Sequence, residues 1–156
     1  MDCRDGRERN SGARRIALAL QYDGTRFNGW QVQETGRTVQ GELESAIGVL
    51  IREKVRVAAS GRTDTGVHAL GQVAHFDCES GIALQRLCIG LNGILEKDVS
   101  VTNAYEAPRD FHARFSALRR EYVYLIYNNK QRSPFARDRA MWITDPLDLD
   151  YLRAAA

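Results

Sequence analysis

The apolar residues of this chain change their repeat in a fixed order, and that order restricts the fold more than any other feature. Ile16, Leu18, Leu20 and Tyr22 alternate with Ala17, Ala19 and Gln21, the two-residue repeat of a strand over 15–22. Asp23-Gly24 supplies a turn, and a Gly29-Trp30 pair follows. Val39, Leu43, Ile47, Leu50 and Ile51 then recur at helical spacing behind Thr38, a good N-cap, and predict a helix ending near Glu53. Short strands follow at 55–59 and 72–77, with the Gly-bounded loop 61–66 between them. Leu84, Leu87, Cys88 and Leu91 define a second amphipathic helix stopped by Asn92-Gly93, and 99–105 reads as a fourth strand. The stretch 115–128 is β-rich, and its near-continuous apolar run from Tyr122 to Tyr127 predicts burial on both faces.

The resulting order, β-α-β-β-α-β plus an extra C-terminal strand, predicts an α+β, ferredoxin-like fold: an antiparallel sheet with two helices on one face. Many RNA-binding modules share it, but a fold does not assign a function. The chain of 156 residues divides into a mobile charged tail at 1–14, the ferredoxin-like domain at 15–128, and a linker with the start of a second domain at 129–156. In that last part, Asp145-Pro146-Leu147 leads into a helix over 148–156, whose acidic residues at the start favour its dipole. Arg153-Ala154-Ala155-Ala156 carries no stop signal, which reads as a cut chain.

No run approaches the roughly 18 apolar residues that span a bilayer, and the polar N-terminus cannot serve as a secretory apolar region. Cys3, Cys78 and Cys88 are too few for a disulfide framework, as expected in a reducing cytoplasm. The formal charge of +2 is zoned: residues 109–139 hold seven Arg and Lys130 against Asp110, Glu121 and Asp138. Of the 22 basic residues 19 are Arg, whose forked donors suit phosphate and base edges. A GC-rich genome also enriches Arg, but it does not account for the zoning, which points toward nucleic acid.

The densest cluster of chemistry is Gly61-Arg62-Thr63-Asp64-Thr65-Gly66-Val67-His68. A phosphate loop would need Lys and then Ser or Thr where Val67-His68 stands. If the Arg62 guanidinium approaches Asp64, the carboxylate stays ionised and is a competent nucleophile toward an anomeric carbon. The structural alternative for Asp64 is an Asx-turn with Arg62 as partner. His68, His75 and Cys78 lack the spacing of a metal site, and Asp110, His112 and Ser116 lack a nucleophile elbow. Tyr22, Trp30, Tyr122, Tyr124 and Tyr127 offer stacking faces for bases or packing faces for a core; Tyr122 stands at the edge of the basic zone.

Five segments then carry a resemblance. Tyr22-Asp23-Gly24, Gly29-Trp30-Gln31, the string from Gly61 to His68, Asp110-Phe111-His112-Ala113-Arg114-Phe115-Ser116-Ala117, and Arg120-Glu121-Tyr122-Val123-Tyr124 resemble, in that order, the TruA family of tRNA pseudouridine synthases. The resemblance implies that Asp64 is the catalytic aspartate, that Arg62 beside it helps open the RNA stack, and that Tyr122 packs on the target base. Arg114, Arg119, Arg120 and His68 are further candidates for RNA contact. It further implies conversion of uridine to pseudouridine in the tRNA anticodon stem–loop, by homodimers, without metal, small-molecule cofactor or membrane. Thr65 stands where the family commonly has Ala. Family members are longer by a second domain that completes the cleft, so this chain alone is expected to be inactive or very weak. The alternatives are a non-catalytic RNA-binding module and a metal- or cofactor-dependent enzyme.

Overall fold

The alternation at the start of the chain forms strand β1 (Arg14–Tyr22), with Ile16, Leu18, Leu20 and Tyr22 buried on one face. The computed structural model describes residues 12–155; most of the expected charged tail, with Cys3, lies outside them. Beyond β1, a single 3-10 turn (Gly24–Arg26) leads to helix α1 (Val39–Ile51). Thr38 caps α1 as expected, its hydroxyl accepting from the Gly41 amide and satisfying one of the donors a helix leaves open. Strands β2 (Ala58–Ala59) and β3 (Ala69–Cys78), helix α2 (Leu84–Ile94) and strand β4 (Val99–Ala107) complete the set.

The sheet order is β2-β3-β1-β4 and every pairing is antiparallel. Val39, Leu43, Ala46 and Ile47 of α1 and Leu87 and Leu91 of α2 join one buried cluster with the apolar residues of β1, β3 and β4. This is a small α+β fold around an antiparallel sheet. The opposite face is crossed by the segment that follows β4. There Arg15, held by Asp77 at 2.7 Å, donates to the carbonyls of Arg109 and Phe111, and the Ala113 amide donates to Nδ1 of His75.

Three expectations need correction. Residues 55–57 keep the alternation, with Val55 and Val57 buried, but are not a strand. The Val57 amide and carbonyl bond to the Glu44 and Gln40 side chains of α1, so side chains take the place of a ladder. Asn92-Gly93 does not stop α2, which runs to Ile94; Asn92 uses its amide to bond both backbone groups of Val101.

The third concerns the run expected to be buried on both faces. Only β5 (Ile126–Asn128) is a strand there, and it pairs in parallel with β6 (Met141–Ile143). Tyr122, Val123 and Tyr124 are 71%, 76% and 93% exposed. Apolar content records that a segment needs cover; it does not supply the cover. The chain divides between Leu118 and Arg119 into two compact units. The second holds β5, β6 and helix α3 (Leu149–Ala155), whose first turn is capped by the Asp148 carboxylate.

Candidate active site

The loop 61–68 joins β2 to β3, and its backbone is fixed almost residue by residue. The Trp30 amide donates to the Thr63 carbonyl at 2.9 Å, the Gly66 amide to the Phe27 carbonyl at 3.2 Å, and the Val67 amide to the Asp64 carbonyl at 3.2 Å. Phe27 and Trp30 supply the partners from outside the loop, and with Gly24 and Gly29, which lie against it, they form its backing. The glycines are required by close approach. A Cβ on Gly24 would lie 2.0 Å from the Val67 carbonyl oxygen, and one on Gly29, whose φ is +85°, 2.7 Å from that of Thr63. Both distances are inside van der Waals contact, so no other residue fits without displacing the loop.

Below the loop lies a polar group of buried Tyr22 and Gln72 with half-buried Ser60. Tyr22 Oη is 2.8 Å from Thr63 Oγ1, and Gln72 Nε2 donates to the Gly61 carbonyl at 2.8 Å. Burial pushes the Tyr22 phenol up, against the lowering effect of its bonds to Thr63 and Gln72. Tyr22 and Trp30, two of the possible stacking faces, are instead core residues with ring centroids 6.2 Å apart. Sequence reasoning missed Gln72 and Ser60. The available signal was a glutamine on the core face of a strand otherwise carrying Ala74, Phe76 and Cys78 inward.

Asp64 and Arg62 are exposed on this loop. The two form no ion pair with one another, and among the described residues the Asp64 carboxylate accepts no hydrogen bond. The Asx-turn alternative is therefore not realised: only the backbone carbonyl of Asp64 has a structural part. The fold spends nothing on this side chain. His68 is half-buried, with Nδ1 3.2 Å from the Gly24 amide and 3.1 Å from Asp23 Oδ1. The ring ties the end of the loop to the Asp23-Gly24 turn.

Arg114 belongs to the segment crossing the sheet, exposed, with its guanidinium 5.8 Å from the centroid of the Phe115 ring. Arg119, Arg120 and Tyr122 are exposed in the second unit, where Arg119 pairs with Glu121 at 3.2 Å. Among the described residues no group of three or more His, Cys, Asp or Glu is arranged to hold a metal ion. His75 instead accepts from the Ala113 amide and packs on His112, and Ser116 Oγ accepts from the His112 amide.

Residues 18–116 match a family model described as tRNA pseudouridine synthase, a span that includes Arg62, Asp64, His68 and Arg114. Among curated relatives, the tRNA pseudouridine synthase A of Paraburkholderia xenovorans (strain LB400) is 49% identical over 143 residues, 92% of this chain and 53% of that protein. That of Leptospira biflexa serovar Patoc (strain Patoc 1 / Ames) is 46% identical over 140 residues, 88% of this chain and 53% of that protein. That of Burkholderia cenocepacia (strain HI2424) is 49% identical over 142 residues, 91% and 53% of the two chains. The chain thus spans about half the length of the curated relatives it matches. With its glycine-backed loop inside the matched region, the chain belongs to the tRNA pseudouridine synthase family.

Proposed function

We propose that the protein carrying this chain isomerises uridine to pseudouridine in the anticodon stem–loop of cytoplasmic tRNA, with Asp64 as the reacting carboxylate. The observation that carries this reading is the contrast at Asp64: a loop backbone bonded at Gly61, Thr63, Gly66 and Val67 presents an exposed carboxylate that no other described group engages. Such a group is preorganised for a ligand rather than for the fold.

The reaction breaks the N1–C1′ bond, turns the uracil, and forms C5–C1′; C5 releases its proton and N1 acquires one. No oxidant or reductant is needed. A carboxylate can act on the sugar or on the base in such a sequence. A stacked target must first be flipped out, at a cost of a few kcal/mol, which Arg62 in the vacated stack and Tyr122 on the extracted base would offset. Arg114, Arg119, Arg120 and His68 are assigned to RNA contact, the arginines through phosphate. Turning the base without losing it requires exclusion of water. Because the chain spans about half the length of its relatives, we assign the rest of that enclosure to sequence outside it, and expect the 156 residues alone to be inactive or very weak. The family resemblance supports a homodimer. The order β4-β1-β3-β2 and the single core shared by α1 and α2 support the ferredoxin-like reading of the first unit.

Asp64→Ala in the complete protein tests the assignment. Tritium release from 5-labelled uridine in tRNA is expected to disappear while tRNA affinity stays nearly intact. Undiminished turnover overturns the role of Asp64. Absence of turnover in the parent, with salt-sensitive RNA binding indifferent to Asp64, would favour a non-catalytic RNA-binding module.

A further inference from the structure

Gln72 occupies a core position of β3 and is 7% exposed. A buried primary amide costs several kcal/mol unless it is bonded, and this one bonds to Gly61 of the Asp64 loop, to Ser60 just before it and to Tyr22 beneath it. Ser60 Oγ donates to Gln72 Oε1 at 2.7 Å, Gln72 Nε2 donates to the Gly61 carbonyl at 2.8 Å, and its second N–H faces Tyr22 Oη at 3.4 Å. Tyr22, itself 4% exposed, reaches Thr63 Oγ1 at 2.8 Å.

The Gly61 carbonyl can only accept, so Nε2 must face it and Oε1 must accept from Ser60. The remaining N–H falls to the Tyr22 oxygen, and the phenol and the Thr63 hydroxyl share a further bond in which either can donate. Gly61 and Thr63 stand on either side of Arg62, and Thr63 directly precedes Asp64. The Thr63 carbonyl is held by Trp30 and its hydroxyl by Tyr22. The backbone from which the Asp64 side chain projects is therefore placed by neighbours that Gln72 and Tyr22 hold from beneath.

We infer that Gln72 is a positioning residue for the reaction, setting through Gly61, Tyr22 and Thr63 where the Asp64 carboxylate meets its substrate; the inference rests on the proposed role of Asp64. A reacting group misplaced by about 1 Å loses about a hundredfold in rate, so the effect belongs to the chemical step and not to RNA affinity.

The test uses the complete protein with Gln72→Leu, which removes the brace, and Tyr22→Phe, which removes only a hydroxyl and keeps the ring packed on Trp30. Three quantities are measured: the single-turnover rate of pseudouridine formation at saturating enzyme, tRNA affinity, and amide exchange over residues 60–68 compared with α2. Gln72→Leu is expected to slow the chemical step about a hundredfold at unchanged affinity, with faster exchange in 60–68 and none in α2. Tyr22→Phe is expected to act in the same direction by a smaller factor. A parental rate in folded Gln72→Leu overturns the inference, as does a loss confined to tRNA affinity or an equal rise of exchange in α2. If Gln72→Leu does not fold, the same criteria applied to Tyr22→Phe decide. If the parent makes no pseudouridine, the proposed function fails separately; unchanged exchange over 60–68 in the variants then overturns the brace.

Discussion

Arg37 and Asp98 meet in a two-pronged ion pair, Nη1 to Oδ2 at 2.6 Å and Nη2 to Oδ1 at 3.0 Å. Asp98 also accepts from Arg26, and its backbone carbonyl accepts from the Asp23 amide. Arg37 in turn lies 4.1 Å from the centroid of the Phe27 ring, and the Phe27 carbonyl holds Gly66. The ion pair thus braces the segment that backs the Asp64 loop. Its side chains are only 23% and 12% exposed, so it is worth more than a surface pair. Asp98→Ala is expected to lower stability by about 1.5–3 kcal/mol, the usual worth of hydrogen bonds to a charged group. Urea denaturation checks this.

The same carboxylate sets an acid limit. Hydrogen bonds from Arg37 and Arg26 hold the Asp98 carboxyl below the usual range, against the opposing effect of burial. Its contribution is present above the ordinary carboxylate value and is lost as pH falls through the lower folded value. Below about pH 4 the parent's urea midpoint is expected to drop more steeply than that of Asp98→Asn. Parallel curves would remove Asp98 as the cause.

Gly24→Ala and Gly29→Ala place a methyl against the Val67 and Thr63 carbonyls. Overpacking of this kind costs about 1–3 kcal/mol, and Gly29 adds the strain of a positive φ. Both variants are expected to melt lower than the parent and to exchange amides faster over 61–68. A loop that keeps its protection in both would show that the close approach is not needed.

His75 responds at milder pH. Burial first, then the Arg15 guanidinium and His112, hold its imidazole below the ordinary value, while Asp77 and a bond to the Ala58 backbone act the other way. A histidine depressed by folding stabilises above its ordinary value and loses that contribution as pH falls, because the unfolded chain takes the proton more readily. Protonation would also remove the acceptor of the Ala113 amide. The urea midpoint of the parent is expected to fall below about pH 6.5, with a slope of at most about 1.4 kcal/mol per pH unit for one proton. His75→Gln is expected to flatten that slope.

Leu118, Tyr122, Val123, Tyr124 and Leu125 are between 56% and 103% exposed in succession around Arg119–Glu121. A β-prone apolar run of this kind promotes association. The 156-residue chain is expected to self-associate with rising concentration in sedimentation experiments, and Val123→Lys with Leu125→Lys to suppress it. A monomer at all concentrations would count against this.

How much of this was legible in the sequence differs by element, for reasons that can be stated. The repeats that make β1, α1 and α2 were readable because each buries a face through spacing within the segment. Thr38 was readable because a cap acts over three residues. Residues 55–57 and Asn92 were misread because their partners, Gln40 and Glu44 in one case and Val101 in the other, are brought to them by the fold. The run at 122–127 was misread because burial depends on what lies above a segment, and composition does not report that.

The site divides in the same way. The amino-acid sequence by itself determined the loop from Gly61 to His68 and the chemical types at Arg62 and Asp64, since these are local and covalent. Only the tertiary structure decided that Tyr22, Gly24, Gly29, Trp30 and Gln72 converge on that loop, and that the Asp64 carboxylate stands apart from every bond holding it. Contacts between residues dozens of positions apart are set by the order of strands in the sheet, and no local spacing encodes that order.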